Sequence, residues 1–155
     1  MRRRRAPKRE LKSDPKYNSE IVGHFINLIM RDGEKSLAQS IVYETFDKIA
    51  KKLNEDPMKI FTTCLENARP KLEVRPRRIG GATYQVPMEV TPQRGMSIAL
   101  RWIRDVARAK KGKPMSEKLA DEIISAYKNE GSVIKKKEDT HKMAEANKAF
   151  AHFKW

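Results

Sequence analysis

The sequence predicts a mainly α-helical single domain of about six helices, with one protruding two-stranded β-hairpin between the third and fourth helices. The length of 155 residues fits one domain. Apolar residues recur at helical spacing along most of the chain, and the period changes to two only within residues 72–90. We therefore divide the chain into a basic, flexible N-terminal arm (1–16), a helical domain (17–149) that carries the β-ribbon (72–90), and a C-terminal tail (150–155).

The first two helices are predicted from capping residues and apolar stripes. Asn18 and Ser19 can cap the first helix, and Gly33 is predicted to end it. The second helix is predicted over Lys35–Leu53 because its apolar residues follow nearly ideal helical spacing. Its stripe consists of Leu37, Ile41, Val42, Phe46, Ile49 and Leu53.

The later helices have start signals of the same kind. Asp56–Pro57 places an N-cap and a first-turn proline at the start of the third helix, and Arg69–Pro70 ends it. Thr91–Pro92 opens the fourth helix by the same logic, and it is predicted to extend to about Ala109. Ser116 is predicted to cap the fifth helix. A sixth helix is predicted at about 132–149 from a thin apolar face.

One segment alternates as a β-hairpin does. Apolar and polar residues alternate with a period of two along Leu72–Ile79 and Tyr84–Val90, and Gly80–Gly81 lies between these segments. Pro76 and Pro87 each remove a backbone donor, so both strands are predicted to be edge strands. A ribbon of only two strands satisfies that requirement.

Charge indicates the class of partner. Lys plus Arg number 34 against 20 Asp plus Glu, which leaves a formal net charge of +14. A phosphate backbone relieves this self-repulsion and releases its counterions on binding, which favours nucleic acid as the partner. No strongly apolar amphipathic helix with a basic face favours a membrane surface, and no apolar run approaches the roughly 20 residues that span a bilayer.

Metal sites and cofactors are not expected. Cys64 is the only cysteine and lies on an apolar helix face, so it is predicted to be a core residue in a reducing, cytoplasmic setting. His24, His141 and His152 are far apart in sequence, which argues against a metal site. No nucleophile elbow, phosphate-binding loop or paired-carboxylate signature is present, so the sequence predicts neither an enzyme nor a small-molecule substrate.

The fourth helix is the strongest candidate for binding nucleic acid. Its apolar residues fall on one side at helical spacing: Met96, Ala99, Leu100, Ile103 and Ala107. The opposite side carries arginines, and lysines continue the row: Arg94, Arg101, Arg104, Arg108, Lys110, Lys111 and Lys113. Only Asp105 balances them, so we favour phosphate contacts over a merely solvated charged face.

The ribbon is the second candidate. Arg75, Arg77 and Arg78 lie on one strand beside the Gly80–Gly81 turn, and Tyr84 follows the turn. Basic residues on a projecting ribbon can follow an RNA backbone, and an aromatic ring can stack on a base. The alternative is an ordinary edge hairpin that its charges keep soluble.

Further basic residues lie outside these two elements. The arm contributes Arg2, Arg3, Arg4, Arg5, Lys8, Arg9 and Lys12. This segment has too little apolar surface to order itself alone, so we expect it to fold against RNA. Lys136 belongs to a lysine run that either begins a solvated helix or contacts phosphate, and the sequence leaves both open.

The chain resembles the bacterial form of the seventh small-subunit ribosomal protein family. The hairpin run Arg75–Pro87 is similar to the signature of that family. Further matching segments extend along the whole chain: Asp14–Tyr17, Phe25–Asn27, Asn67–Pro70, Ala99–Trp102, Lys136–Asp139 and Met143–His152. Two positions depart from the pattern, Glu34 where a basic residue is usual and Gly95 early in the fourth helix; Lys35 still offers a phosphate contact beside Glu34.

The resemblance implies a role in the small ribosomal subunit, in the cytoplasm. Members bind the 3′ major domain of small-subunit ribosomal RNA and help nucleate assembly of the subunit head. Their ribbon lies near the exit-site transfer RNA and the messenger RNA path. Neighbouring small-subunit ribosomal proteins are expected contacts, for which Phe150, Phe153 and Trp155 offer a surface. Some members also repress translation of their own operon.

Two other classes of protein fit part of the pattern. An architectural DNA-binding protein also combines a helical body with basic β-arms, although such proteins are usually dimers of shorter chains. A basic adaptor between proteins would not need the arginine row of the fourth helix.

Overall fold

The computed structural model describes residues 12–153 and confirms the predicted fold class. Six α-helices and one antiparallel hairpin form a single domain in this range, and a short 3₁₀ helix follows them. The elements are α1 (Glu20–Ile29), α2 (Lys35–Leu53), α3 (Pro57–Ala68), β1 (Leu72–Ile79), β2 (Ala82–Glu89), α4 (Pro92–Ala109), α5 (Met115–Tyr127), α6 (Gly131–Ala146) and the 3₁₀ helix Lys148–Phe153.

Local capping chemistry explains some helix boundaries. The Asp56 carboxylate accepts the Met58 N–H at 3.1 Å, so α3 begins where its cap was predicted. Asn54 ends α2 in the left-handed conformation, with φ at 53°. The helix α1 ends at Ile29, before the predicted stop at Gly33, and Ser19 occupies its N-cap position without a side-chain capping bond.

The predicted cap of the fifth helix was wrong. The helix α5 begins at Met115, and Ser116 is its second residue. The Ser116 hydroxyl is buried and accepts a hydrogen bond from Lys48 Nζ at 2.9 Å. This hydroxyl therefore joins α5 to α2 instead of capping the first turn.

Three phenylalanines form the centre of the core. Phe61 of α3 lies 5.3 Å from Phe25 and 5.2 Å from Phe46 between ring centroids, and all three are buried. Tyr17 packs edge-on against Phe46 at 5.1 Å. Burial of each such ring stabilises the fold by about 1.5–3 kcal/mol. The aromatic contacts thus join α1, α2 and α3 and the segment before α1.

The helix α5 runs through the middle of the bundle and packs against α2, α3, α4 and α6. Its buried apolar residues are Leu119, Ala120, Ile123 and Ala126. The stripe predicted for α2 is buried at Val42, Phe46 and Ile49, but Leu37 was wrongly included because its side chain is 54% exposed. Leu37 lies in the first turn of α2, where its side chain remains at the surface.

The hairpin has a two-residue turn. Arg77 pairs with Tyr84, and Ile79 pairs with Ala82, which leaves Gly80 and Gly81 as the turn. Both glycines have positive φ, at 56° and 91°, as a type I′ turn requires. The second strand therefore begins at Ala82, two residues before the predicted start at Tyr84, and ends at Glu89.

The segment before α1 is attached to the helical body. The buried Asp14 carboxylate accepts the Tyr17 N–H at 3.0 Å and the Tyr43 hydroxyl at 2.8 Å. A Cβ atom added at Gly23 of α1 would lie 2.5 Å from the Lys12 carbonyl oxygen. Residues 12–16, which the sequence assigned to the arm, therefore pack on α1 and α2.

We predict that Gly23→Ala destabilises the protein by roughly 1–3 kcal/mol, because the new methyl group meets backbone and cannot be accommodated by a rotamer change. In a solvated helix the same change stabilises by about 1 kcal/mol. Urea unfolding measures the difference. Asn27→Ala, at an exposed position of α1, is the control and should change stability little. A stabilised Gly23→Ala variant would contradict the close approach of Lys12.

Candidate nucleic-acid interface

The helix α4 has the two-sided structure that its sequence predicted. Its buried residues are Gly95, Ile98, Ala99, Leu100, Ile103 and Ala107. Arg94 and Arg101 are exposed, and Arg104 and Arg108 are half-buried. A Cβ atom added at Gly95 would lie 2.7 Å from Cγ of Arg69. The glycine therefore allows α4 to approach the end of α3 closely. Core packing thus holds the helix in the orientation that exposes its arginines.

Two arginines of this row form only local contacts among the described residues. Arg101 Nε donates to the Ser97 carbonyl oxygen one turn earlier, at 3.1 Å. Arg104 Nε donates to the Asp105 carboxylate at 2.7 Å. An exposed ion pair of this kind is weak and exchanges readily for a phosphate. Both guanidinium groups therefore remain suitable for a polyanion.

Arg108 forms a cluster of like charges with two other arginines. Its Nη2 donates to the Ile29 carbonyl oxygen at the end of α1, at 3.1 Å. Burial lowers the pKa of Arg108, and the positive charges of Arg31 and Arg104 lower it further. Like charges held together by the fold attract an anion. Arg31 was missed from the sequence because it stands alone in a loop, and only the fold brings it beside α4.

Lys110 has a structural contact. Its ammonium forms an ion pair with Oε1 of Glu122, whose side chain is almost fully buried in α5. Oε2 of the same carboxylate has no hydrogen-bond partner in the described part of the chain. Burial, with the nearby charge of Glu122, raises the pKa of Cys64, which is buried as predicted. Lys110 therefore compensates a charge in the core.

The other two lysines of this loop differ in their contacts. Lys113 lies 3.2 Å from Asp121, which also accepts from Lys52 at 2.7 Å. The Lys52 hydrogen bond lowers the pKa of Asp121, and Lys113 contributes to the same shift. Lys111 is exposed. Of the three predicted lysines, Lys111 is therefore the one whose charge is least involved in holding the fold.

The basic strand β1 adjoins α4 at the base of the ribbon. Arg75 Nε and Arg94 Nε both donate to the Glu73 carboxylate, at 2.6 and 2.8 Å. Arg77 is half-buried and Arg78 is exposed near the turn. An added Cβ would meet no heavy atom within 4 Å at Gly80 or Gly81. The ribbon thus carries its arginines from the face of α4 out to an open tip.

Tyr84 packs within the protein. Its ring centroid lies 5.1 Å from that of Phe150 and 5.5 Å from that of Phe153. The three side chains are half-buried, so part of each ring remains at the surface. Phe150 and Phe153, two of the predicted protein-partner residues, therefore support β2 through the 3₁₀ helix. The sequence did not indicate this contact between a strand and the distant tail.

A second contact holds the base of the ribbon against α6. The Lys71 N–H donates to Nε2 of His141 at 3.0 Å, so this nitrogen is the acceptor. Burial lowers the pKa of His141, and the charges of Lys137 and Lys71 lower it further, which favours the neutral imidazole that this bond requires. Lys136, on the same helix, is exposed.

The remaining candidate residues are spread over the surface or lie beyond the described range. Lys12 and Lys35 are exposed, Lys35 at the first turn of α2. Candidates outside the described residues are Arg2, Arg3, Arg4, Arg5, Lys8, Arg9 and Trp155.

Between residues 12 and 153 no group of His, Cys, Asp and Glu is arranged to hold a metal ion. In the same range no helix combines the length and apolar character needed to cross a membrane.

Comparison with known proteins identifies the family. A model of the family described as "Ribosomal protein S7p/S5e" matches residues 1–148. The chain is 60% identical over 155 residues to the small ribosomal subunit protein uS7 of Thermotoga maritima, with 100% of both chains covered. It is 58% identical over 154 residues to the protein of the same name from Thermodesulfovibrio yellowstonii, with 99% of both chains covered.

The helical body, the basic face of α4 and these full-length matches define a structural, non-enzymatic protein of the ribosome. The chain belongs to the Ribosomal protein S7p/S5e family of small-subunit proteins. This membership confirms the resemblance that the hairpin motif indicated.

We predict that Lys110→Ala lowers the free energy of unfolding by roughly 1–3 kcal/mol, because it leaves the buried Glu122 carboxylate without a counter-charge. Lys111→Ala, which removes the same charge at the next position, should be nearly neutral. Thermal and urea unfolding of the two variants measure this difference. Equal stability of both variants would mean that the Lys110–Glu122 pair contributes nothing.

Proposed function

We propose that this chain binds small-subunit ribosomal RNA through the arginine face of α4, with the ribbon and the N-terminal arm extending the contact. The observation that carries the proposal is the cluster of Arg31, Arg104 and Arg108 beside the exposed Arg101. The Asp105 carboxylate, which pairs with Arg104, neutralises only part of this positive charge, and phosphate would stabilise the remainder. The arm contributes at least Arg2–Arg9 as a segment that orders on RNA.

The α4 contacts are proposed to be with phosphates more than with bases. Guanidinium groups spaced along one side of a rigid helix match the repeat of a backbone, and Arg binds phosphate in a bidentate manner. Lys35, Lys111 and Lys136 are exposed enough to add further phosphate contacts. Together these groups suit a primary binder of the 3′ major domain that nucleates assembly of the subunit head.

The ribbon is proposed to reach the exit-site transfer RNA and the messenger RNA path. Arg78 and the Gly80–Gly81 turn are exposed at its tip. The surface that Tyr84 forms with Phe150 and Phe153 is proposed to contact a neighbouring small-subunit protein, since it is apolar and only half-buried. With the subunit, the chain is proposed to reside in the cytoplasm.

An architectural DNA-binding role, which the sequence left open because the basic ribbon could also follow a duplex, is disfavoured by the family to which the chain belongs. A full-length relative carries the name of a ribosomal protein, which favours RNA. A protein–protein adaptor is the weaker alternative, since it leaves the arginine face of α4 without a role.

Filter binding of the full chain tests the proposal. We expect tighter binding to the 3′ major domain of ribosomal RNA than to duplex DNA of equal length at the same salt concentration. Arg101→Ala should lower the slope of log affinity against log salt by roughly one, as expected for one lost phosphate contact. Lys59→Ala, which removes an exposed charge from α3, is the control and should leave the slope nearly unchanged. Equal affinity for RNA and DNA would contradict the proposal.

A shortened ribbon tests the assignment of its tip. Replacing Arg78–Thr83 by Asn-Gly rebuilds a two-residue turn directly after the Arg77–Tyr84 pair and preserves the strand register. We expect assembly of the subunit head to continue and occupancy of the exit site by transfer RNA to change. Reconstituted subunits allow RNA affinity and exit-site occupancy to be measured separately. If affinity collapses and occupancy in the surviving particles is normal, the tip is an anchor instead.

A further inference from the structure

Glu73 is an acidic residue that contacts two arginines of the proposed RNA-binding surface, Arg75 and Arg94. It lies on β1, where the ribbon leaves the body, and its side chain is only 12% exposed. Oε1 accepts from Arg75 Nε at 2.6 Å, and both carboxylate oxygens accept from Arg94 Nε at 2.8 Å. The carboxylate thus joins an arginine of the ribbon to an arginine of α4.

An acid at this position has an electrostatic cost for binding RNA. Its charge repels phosphate, and its desolvation must be compensated by the two guanidinium groups. One carboxylate between two guanidinium groups still leaves a net positive charge on the group of three. The position therefore remains attractive to an anion, although less so than two arginines alone would be.

The geometry offers a compensating advantage. The bonds to Glu73 use the Nε atoms, whereas a guanidinium group has five N–H donors in all. Arg75 and Arg94 are 42% and 45% exposed, so both also present surface to solvent. Holding an arginine through Nε restricts its rotamers before a ligand arrives, and this reduces the entropy that binding must remove.

We propose that Glu73 is a positioning residue for RNA binding, which holds Arg75 and Arg94 at a fixed spacing so that they receive phosphates where the ribbon meets α4. This inference rests on the proposed function, since it assigns a role within the same RNA-binding surface. Because Arg75 belongs to β1 and Arg94 to α4, the same contacts also fix the base of the ribbon relative to α4.

Glu73→Gln tests the inference through the sign of its effect. The variant keeps the shape of the side chain and raises the net charge by one unit, so charge alone predicts tighter binding to RNA. Positioning predicts roughly 3- to 10-fold weaker binding to the 3′ major domain, because two side chains must be ordered on binding. Glu89→Gln is the control: Glu89 is exposed at the end of β2 and has the same charge change. Its affinity should be unchanged or slightly higher.

A double-mutant cycle separates positioning from a general loss of structure. In a chain that already carries Arg75→Ala and Arg94→Ala, Glu73→Gln should cause no further loss of affinity. A loss that persists in that background, or an affinity of Glu73→Gln equal to that of Glu89→Gln, would overturn the inference. The proposed function is judged separately, by whether the unmodified chain prefers ribosomal RNA to duplex DNA.

A measurement on the unmodified protein covers the case in which Glu73→Gln does not fold. Nuclear magnetic resonance relaxation of the arginine Nε–H groups reports their order without RNA. Arg75 and Arg94 should be as rigid as the backbone, whereas Arg78 at the tip should be mobile. Equal mobility of all three side chains would overturn the inference as well.

Discussion

The burial of one side of α4 is the packing interaction on which the functional surface depends. Ile98, Leu100 and Ile103 lie in the core, and each contributes about 1.5–3 kcal/mol by leaving water. Because these residues fix the rotation of the helix, they also fix the side on which its arginines lie. Rotation of α4 would expose apolar side chains and bury guanidinium groups, and both changes are unfavourable. The same packing brings Arg108 to the end of α1.

The protein separates its charges into two kinds of surface. Around α2 and α5, lysines have acidic partners: Lys48 contacts Glu44 at 2.9 Å, and Asp121 lies between two lysines. Such exposed pairs contribute little to stability, but they leave that side of the protein close to neutral. Along α4 and β1 the arginines outnumber the acids, so this side of the described protein is positively charged where a polyanion can approach. Association with RNA is therefore steered toward one side of the protein.

The sequence predicted the elements well because their signals are local. Asp56–Pro57 begins α3 where expected, and Gly80–Gly81 forms the turn of the ribbon. The family was also predicted from the hairpin motif. Contacts between residues distant in sequence were not predictable in this way. Nothing in the sequence around Glu122 indicates that its side chain is buried or that it pairs with Lys110. Leu37 fits the apolar stripe of α2, yet nothing in its spacing reveals that its side chain is exposed.

The ribbon combines a fixed base with a projecting tip because its supports end partway along it. His141 of α6 accepts a hydrogen bond from the backbone of Lys71, just before β1. Tyr84, in the half of the ribbon nearer the turn, packs on the 3₁₀ helix. Beyond Tyr84 two residue pairs and the turn remain, which corresponds to roughly 10 Å at about 3.3 Å per residue. At the turn itself, a Cβ atom added at Gly80 or Gly81 would meet no heavy atom of the described residues within 4 Å. The contacts at the base and at Tyr84 therefore fix where the ribbon points, and the open space around the turn leaves room for a ligand at its tip.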